Sequence, residues 1–204
     1  MSASPRPRRR WAGRLPPIQP RGEIFSMVIP TPAHALVMRR ATQADAVAIG
    51  EIMAEAGQWL LRRGIRQWPG YPEPDLIQRR LQHAEIYMAE LGGAAVGTLT
   101  LQQQDPEIWG ELPPDALYVH GLAIRRSAGG RGLGGRMLAW AAEQAAVRGR
   151  AFLRLDCMGQ NTALCSYYER HGFAPCGVVQ LGGWQCARYQ RSAALPWPEA
   201  ARRA

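Results

Sequence analysis

Residues 117–138 contain the feature that most restricts the fold. An apolar strand-like run, a dense set of glycines and an amphipathic helical pattern follow one another directly. The glycines are Gly129, Gly130, Gly132, Gly134 and Gly135. Glycine lets backbone N–H groups approach a ligand closely, and the N-terminus of the following helix adds partial positive charge. The pattern therefore predicts a pyrophosphate site, and Arg125, Arg126 and Arg131 are expected to reinforce its preference for anions.

Two nucleotide-binding motifs can be compared with this loop. A P-loop requires Lys-Ser or Lys-Thr after its last glycine, but Arg136 follows here, so that motif is excluded. A dinucleotide fingerprint G-x-G-x-x-G does occur from Gly130 to Gly135, with Asp156 as a possible acid after the next strand. That fingerprint normally follows its strand directly, whereas residues 125–129 intervene here. The dinucleotide interpretation is therefore the weaker one.

The same loop resembles the acetyl-CoA motif of the GNAT superfamily of N-acetyltransferases, R/Q-x-x-G-x-G/A after a strand. Gly132 and Gly134 match its two glycines, while Gly129 stands where the family has Arg or Gln. This departure removes one expected contact to the cofactor, for which Arg126 or Arg131 could substitute.

A second segment strengthens the resemblance. Asn161 is followed by Tyr168 and then by Gly172 and Phe173, which is similar to the GNAT pattern N-x-x-A/L-x-x-L/Y-Y-x-x-x-G-F. The two motifs occur in the expected order within residues 35–190. The dinucleotide interpretation gives this second segment no role.

The resemblance implies an α+β fold, the GNAT fold, with a mixed, mostly antiparallel central sheet and flanking helices. The strand at residues 116–124 should splay from the strand at residues 151–157. Acetyl-CoA would then be the acetyl donor, with no metal ion, and transfer to a primary amine would be direct. The acceptor would be a small molecule or a peptide.

Hydrophobic periodicity and turn residues give a matching order of elements, β-α-α-β-β-β-α-β-α-β-β. Strands are predicted at residues 35–40, 86–91, 94–102, 116–124, 151–157, 174–181 and 184–190. Helices are predicted at residues 42–63, 75–83, 132–148 and 161–171. Residues 103–115 are predicted to be a polar loop.

The resemblance and the glycine loop together implicate one set of residues in cofactor binding: Leu122, Ala123, Ile124, Arg126, Gly129, Gly130, Arg131, Gly132, Leu133, Gly134, Gly135, Asn161 and Tyr168. By the resemblance, backbone groups of Leu122 and Ile124 would hold the pantetheine, and an N–H near Leu122 would stabilise the oxyanion. Tyr168 would protonate the departing thiolate, with Tyr167 as the competing candidate.

An amine acceptor also needs a base, and His120 is the best local candidate. Some arylalkylamine acetyltransferases of the superfamily are similar, with a histidine two residues before the L-A-V segment. Strand alternation predicts that four side chains share one side: Tyr118, His120, Leu122 and Ile124. The alternative bases are Glu111, Asp115 and Glu55.

The acceptor pocket of the superfamily lies near the first helices and their loop. The residues of this chain expected there are Trp59, Arg66, Gln67, Trp68, Tyr71 and Trp109. Their side chains suit an aromatic or apolar amine.

The net charge of +9 raises the question of nucleic-acid binding. Most of the excess lies at the two ends, so a nucleic-acid partner is not expected. Residues 1–33 are rich in Arg and Pro and are expected to be a disordered extension, and residues 192–204 a flexible tail. Residues 34–191 would form the acetyltransferase domain.

The remaining expectations concern location and assembly. No apolar segment indicates export or a membrane partner, and the spacing of Cys157, Cys165, Cys176 and Cys186 fits no zinc or redox signature. A cytoplasmic protein with reduced thiols is expected, as a monomer or homodimer.

The alternative functions are a catalytically weak acyl-CoA-binding regulatory module and a nucleic-acid-binding protein that uses its Arg-rich tail.

Overall fold

The computed structural model describes residues 35–68 and 74–198. Its strands are β1 (Leu36–Arg40), β2 (Glu85–Leu91), β3 (Ala94–Gln102), β4 (Ala116–Ile124), β5 (Phe152–Met158), β6 (Ala174–Leu181) and β7 (Trp184–Ser192). Its helices are α1 (Ala46–Leu61), α2 (Pro74–His83), α3 (Pro106–Trp109), α4 (Leu133–Val147) and α5 (Thr162–Arg170). The predicted elements are present, and the short helix α3 is an addition inside the predicted loop at residues 103–115.

The strands form one sheet in the order β1-β2-β3-β4-β5-β7-β6. Every neighbouring pair is antiparallel except β4 and β5, which run parallel. The predicted α+β fold with a mixed, mostly antiparallel sheet is therefore confirmed.

The two faces of the sheet bury separate clusters of apolar side chains. On one face, Leu117 and Val119 of β4 pack in a cluster that contains Met137 and Leu138 of α4. On the other face, Ala123 belongs to a cluster with α1 and α2. A small third cluster joins Trp109 of α3 to Ala116 and Tyr118 of β4. Helices therefore cover both faces, which lets β4 present side chains to two different environments.

A bulge in β4 interrupts the predicted alternation of its side chains. Thr98 of β3 pairs with Ala123 and Thr100 pairs with His120, so β4 holds one extra residue between these pairs. Gly121 has a φ of +59°, the left-handed conformation that glycine adopts easily. Because the extra residue reverses the alternation, Leu122 and Ile124 pack with the α4-side cluster, on the face of Leu117 and Val119. The prediction that they share a side with Tyr118 and His120 is wrong.

Contacts with the domain continue into the segment expected to be a flexible tail. β7 continues to Ser192, and Trp197 is buried beside Phe173 and His171. The buried guanidinium of Arg191 donates to the carbonyl oxygens of residues 171, 192, 195 and 196, and it stacks on the Trp197 ring at 4.5 Å. These contacts hold the Trp197 ring and the carbonyl groups of Leu195 and Pro196 against the domain. Residues 199–204 and the expected extension at residues 1–33 lie outside the described residues.

None of the described helices combines the length and the apolarity that a membrane span requires.

Candidate active site

One cavity of about 700 Å³ opens where β4 and β5 separate. The two strands pair from Ala116–Phe152 to Val119–Leu155, although β4 continues to Ile124 and β5 to Met158. Residues beyond the last pair on both strands line the cavity. The gap between the two strands is the splay that the resemblance implies. It leaves one edge of β4 open to a ligand.

The glycine loop forms one end of this cavity. Gly130 and Gly132 have φ values of +78° and +64°, and Gly132 is the residue immediately before α4. A helix leaves its first N–H groups without intrahelical acceptors, and the first bond here runs from the Arg136 N–H to the Gly132 oxygen. Gly132, Leu133 and Gly134 line the cavity. The N-terminus of a 15-residue helix therefore faces a space that can hold an anion.

Gly134 is required by a close approach of α5. A Cβ at this position would lie 2.6 Å from the hydroxyl oxygen of Tyr167. The Tyr167 ring packs edge-on against Tyr168 and lies 4.3 Å from the His171 ring. The Tyr167 hydroxyl therefore lies over the first turn of α4.

Two arginines between β4 and the glycine loop have different partners. Arg125 forms ion pairs with Glu51 and Glu55 of α1, and the Arg126 N–H donates to Glu55. The Arg126 guanidinium lies 4.2 Å from the Trp59 ring centroid and lines the cavity. Glu55, one of the alternative bases, is thus occupied in anchoring this segment to α1.

Asn161 connects two sides of the cavity. Its side-chain oxygen accepts from the Leu164 N–H and so caps α5, while its amide nitrogen donates to Gln67 in the segment after α1. The asparagine of the second motif is therefore a helix cap that also holds a wall residue of the cavity.

His120 lies between two carboxylates on the face of the sheet opposite α4. Its Nε2 is 3.5 Å from Oδ2 of Asp105, and its Nδ1 is 3.7 Å from Oδ1 of Asp156. His120 and Asp156 line the cavity, and Asp105 stands directly before α3. Burial raises the pKa of both carboxyl groups. The imidazole ring of His120 thus lies between two carboxyl groups, one beside each of its nitrogens.

Neither of the other alternative bases belongs to this arrangement. Asp115 forms an ion pair with Arg154 at 2.9 Å. Glu111 lines a separate, much smaller cavity. Among the candidate bases weighed from the sequence, His120 is the one that lines the main cavity with no arginine partner in the described part of the chain.

Tyr168 is buried on the α4 side of the sheet. Its ring contacts Phe173 and Tyr189, and burial raises its pKa well above the usual value. Burial also raises the pKa of Tyr167, to about 12. Tyr168 is therefore protonated at neutral pH, and its raised pKa makes the phenol a weaker acid than a free tyrosine.

The structure brings most of the residues predicted for cofactor binding to this cavity. The exceptions are Arg131, which is exposed, and Gly135, which is buried within α4. Of the expected acceptor residues, Trp59, Gln67 and Trp68 line the cavity. Arg66 and Trp109 do not line it, and Tyr71 lies outside the described residues.

Three further residues were not predicted for the site from the sequence: Asp105, Asp156 and Trp184. Asp156 and Trp184 line the cavity, and Asp105 faces His120. The dipeptide Asp105-Pro106 carries a signal that could have been used, because Asp before Pro is typical of a helix start. No local signal places either aspartate beside His120.

Comparison with known proteins agrees with this architecture. The acetyltransferase (GNAT) family matches residues 53–173. The uncharacterized N-acetyltransferase YesJ of Bacillus subtilis is 29% identical over 146 residues, which are 68% of this chain and 81% of that protein. The S-(2-succino)cysteine N-acetyltransferase of the same organism is 25% identical over 158 residues, which are 75% and 93% of the two chains.

Solved structures lead to the same conclusion. A GNAT-family acetyltransferase from Listeria monocytogenes superposes with a TM-score of 0.64 and 27% identity, over 77% of this chain and 94% of that one. The acetyltransferase yncA from Salmonella typhimurium, solved with acetyl-CoA, has a TM-score of 0.59 and 19% identity, over 81% and 99% of the two chains. The family match covers more than half of the chain and agrees with the splayed strands and the glycine loop. The protein therefore belongs to the GNAT acetyltransferase family.

Proposed function

We propose that this protein transfers the acetyl group of acetyl-CoA to an amine in a ternary complex. The observation that carries the proposal is the continuity of one cavity. It joins the glycine loop and the N-terminus of α4 to the His120 cluster through the gap between β4 and β5. A long donor bound at the helix end can thus place its thioester near a base on the opposite face.

The donor end fits a pyrophosphate group. The first N–H groups of α4, together with the loop from Gly129 to Gly132, supply hydrogen-bond donors, and Arg126 supplies a positive charge. The open edge of β4 after Val119 offers backbone groups to a pantetheine chain. The fold relative from Salmonella typhimurium, which was solved with acetyl-CoA, supports this choice of donor.

His120 would act as the base, with Asp105 and Asp156 stabilising the proton that it accepts. An amine is mainly protonated at neutral pH, so it must lose a proton before its lone pair can attack. The nitrogen then forms a bond to the acetyl carbon, and the bond from that carbon to sulfur breaks. The electron pair leaves with the sulfur, and the proton of Tyr168 neutralises the thiolate. The nitrogen releases its second proton as the amide forms, and a proton from solvent restores the Tyr168 hydroxyl.

The position of the two tyrosines supports Tyr168 as the acid. The Tyr167 hydroxyl lies over Gly134, at the helix end that suits phosphate groups. Tyr168 is buried in the same apolar cluster as Cys157 of β5, one of the two splayed strands. This location supports Tyr168 as the residue that meets a thiol bound between the strands.

The test combines binding with turnover. Calorimetry should show acetyl-CoA binding and no NAD binding, and thiol release should report turnover with a panel of amines. Tyr168→Phe should keep acetyl-CoA binding and lower kcat by about 10²–10⁴-fold. Tyr167→Phe, the matched control, should retain most of kcat.

His120→Ala provides the second arm of this test. Its loss of rate should be greatest at low pH, where an unprotonated amine is rarest. Binding of NAD in place of acetyl-CoA would refute the proposal. Binding of acetyl-CoA without turnover of any amine would favour the acyl-CoA-binding regulatory module instead.

A further inference from the structure

The acceptor end of the cavity carries an unusual concentration of negative charge. Asp105 and Asp156 flank His120, and the Asp105 side chain is only 9% exposed. Oδ2 of Asp105 and Nε2 of His120 are buried, and within the described residues neither makes a hydrogen bond. Even with a protonated imidazole, two carboxylates leave the cluster with a net negative charge. Among the described residues, that Asp105 oxygen faces the His120 ring at 3.5 Å, and a buried carboxylate with so little compensation favours a cationic ligand.

Nearby arginines do not neutralise this cluster. Arg154 is paired with Asp115, and Arg188, which stands opposite Asp156 on β7, donates to the carbonyl oxygen of Cys176. Among the described residues that line the cavity, Arg126 is the only arginine, and it belongs to the glycine-loop end. The described acceptor end therefore offers anions and aromatic rings but no cation.

Asp105, His120 and Asp156 offer ligand atoms within 4.8 Å of one another, a spacing that a metal ion could also use, but the arrangement of the carboxylates favours an ammonium group. The two carboxylates face different nitrogens of the imidazole ring, Nε2 for Asp105 and Nδ1 for Asp156. A single metal ion can take only one of these nitrogens. An ammonium group can instead approach Asp156 from the cavity, and Trp68 and Trp184 supply apolar surface for the rest of the molecule.

We infer that the acceptor is a cationic amine with no carboxylate beside its amino group, so that free α-amino acids are rejected. The inference rests on the proposed function and narrows it to one substrate class. In an α-amino acid the carboxylate lies within a few ångströms of the nitrogen, so a reactive pose brings it close to Asp156. At about 5 Å and an effective dielectric constant of about 20, the repulsion corresponds to about 10²-fold in kcat/KM.

This substrate class differs from that of one relative of the chain. The S-(2-succino)cysteine N-acetyltransferase, at 25% identity, is named for a substituted cysteine, which is an α-amino acid. The α-carboxylate of such a substrate is stabilised by a cation or an N–H donor, and this cavity places the Asp156 carboxylate beside His120 instead. S-(2-succino)cysteine is therefore expected to be a poor acceptor.

Matched acceptors test the inference directly. The pairs are tryptamine with tryptophan and phenethylamine with phenylalanine, and the amides of both amino acids restore a neutral group at the same position. Thiol release should give kcat/KM values about 10²-fold higher for the amines and the amides than for the free amino acids. Equal or higher values for the free amino acids or for S-(2-succino)cysteine would overturn the inference.

Replacement of Asp156 tests whether its negative charge causes the discrimination against free amino acids. Asp156→Asn should lower kcat for tryptamine and also reduce the tryptamine-to-tryptophan ratio of kcat/KM by about tenfold, which loss of structure alone would not do. Glu107→Gln, which removes an exposed carboxylate of α3 outside the cavity, is the control and should leave the ratio unchanged. An unchanged ratio in Asp156→Asn would overturn the inference.

The outcomes also distinguish this inference from the proposed function. If acetyl-CoA does not bind, both fail together. If acetyl-CoA binds and free amino acids are the better acceptors, the inference fails and the acetyltransferase proposal stands. If acetyl-CoA binds and no amine of the panel reacts, the inference fails while the donor site remains supported.

Discussion

Replacing Gly134 by alanine tests the contact between α4 and α5 with two opposing effects. Gly134 lies in the first turn of α4, where alanine in place of glycine stabilises a helix by about 0.5–1 kcal/mol. The new methyl carbon would lie 2.6 Å from the Tyr167 hydroxyl oxygen, so the tyrosine must move. Overpacking of this kind costs about 1–3 kcal/mol. Gly134→Ala alone should therefore destabilise the protein modestly.

Removal of the hydroxyl should reverse the sign of this effect. In a Tyr167→Phe background the nearest ring atom is Cζ, at an ordinary contact distance of 3.5 Å from the methyl carbon. Gly134→Ala should then stabilise the protein by about 0.5–1 kcal/mol, which gives a coupling energy of about 1–3 kcal/mol between the two sites.

Urea denaturation of the wild type, both single variants and the double variant measures this coupling directly. Acetyl-CoA affinity, measured in parallel, shows whether the same methyl group obstructs the donor. Equal effects of Gly134→Ala in the two backgrounds would refute the close approach of α5 to α4.

Three further predictions address the anion site, the acidic cluster and the C-terminal segment. In calorimetry, Gly132→Asp should reduce acetyl-CoA affinity at least tenfold more than Gly132→Asn does. Both side chains tolerate the left-handed backbone at this position, but only Asp adds a negative charge near the phosphate groups. Asp156→Asn should raise the melting temperature at pH 7.5, because burial raises the pKa of Asp156 and its ionisation therefore opposes folding. The gain should disappear below about pH 4, where the Asp156 carboxyl group is protonated in both the folded and the unfolded protein. An unchanged melting temperature at pH 7.5 would contradict this prediction. Trp197→Ala should lower the unfolding free energy by about 3–5 kcal/mol in urea titration, and a loss below 1 kcal/mol would show that residues 193–198 do not pack on the domain.

The fold and the donor end could be predicted because their signals are local. The glycines between Gly129 and Gly135 specify a strand, a turn and a helix start within one short segment. The asparagine at 161 and the tyrosine at 168 belong to a second local pattern. Such signals do not depend on which strands become neighbours.

The acceptor end could not be predicted in the same way, because it depends on contacts between distant segments. Asp105 and Asp156 are 51 positions apart, and the packing of α3 beside β5 and β7 brings them to the same histidine. The bulge at Gly121 arises from the register between β3 and β4, which alternation along one strand does not reveal. The same bulge moved Leu122 and Ile124 to the face opposite to the one predicted.

That bulge divides β4 into two segments whose side chains alternate out of phase with each other. The segment before Gly121 presents His120 to the proposed acceptor end of the cavity, and the segment after it presents Leu122 and Ile124 to the proposed donor end. Under the proposed function, a substitution of His120 should therefore change acceptor turnover while the backbone groups of the next segment keep their place for the donor. A deletion of Gly121 would instead turn the side chains of one segment to the other face of the sheet, and both ends of the cavity would be disturbed together. In this chain, the one extra residue at Gly121 therefore separates the side chains of the two ends of the cavity.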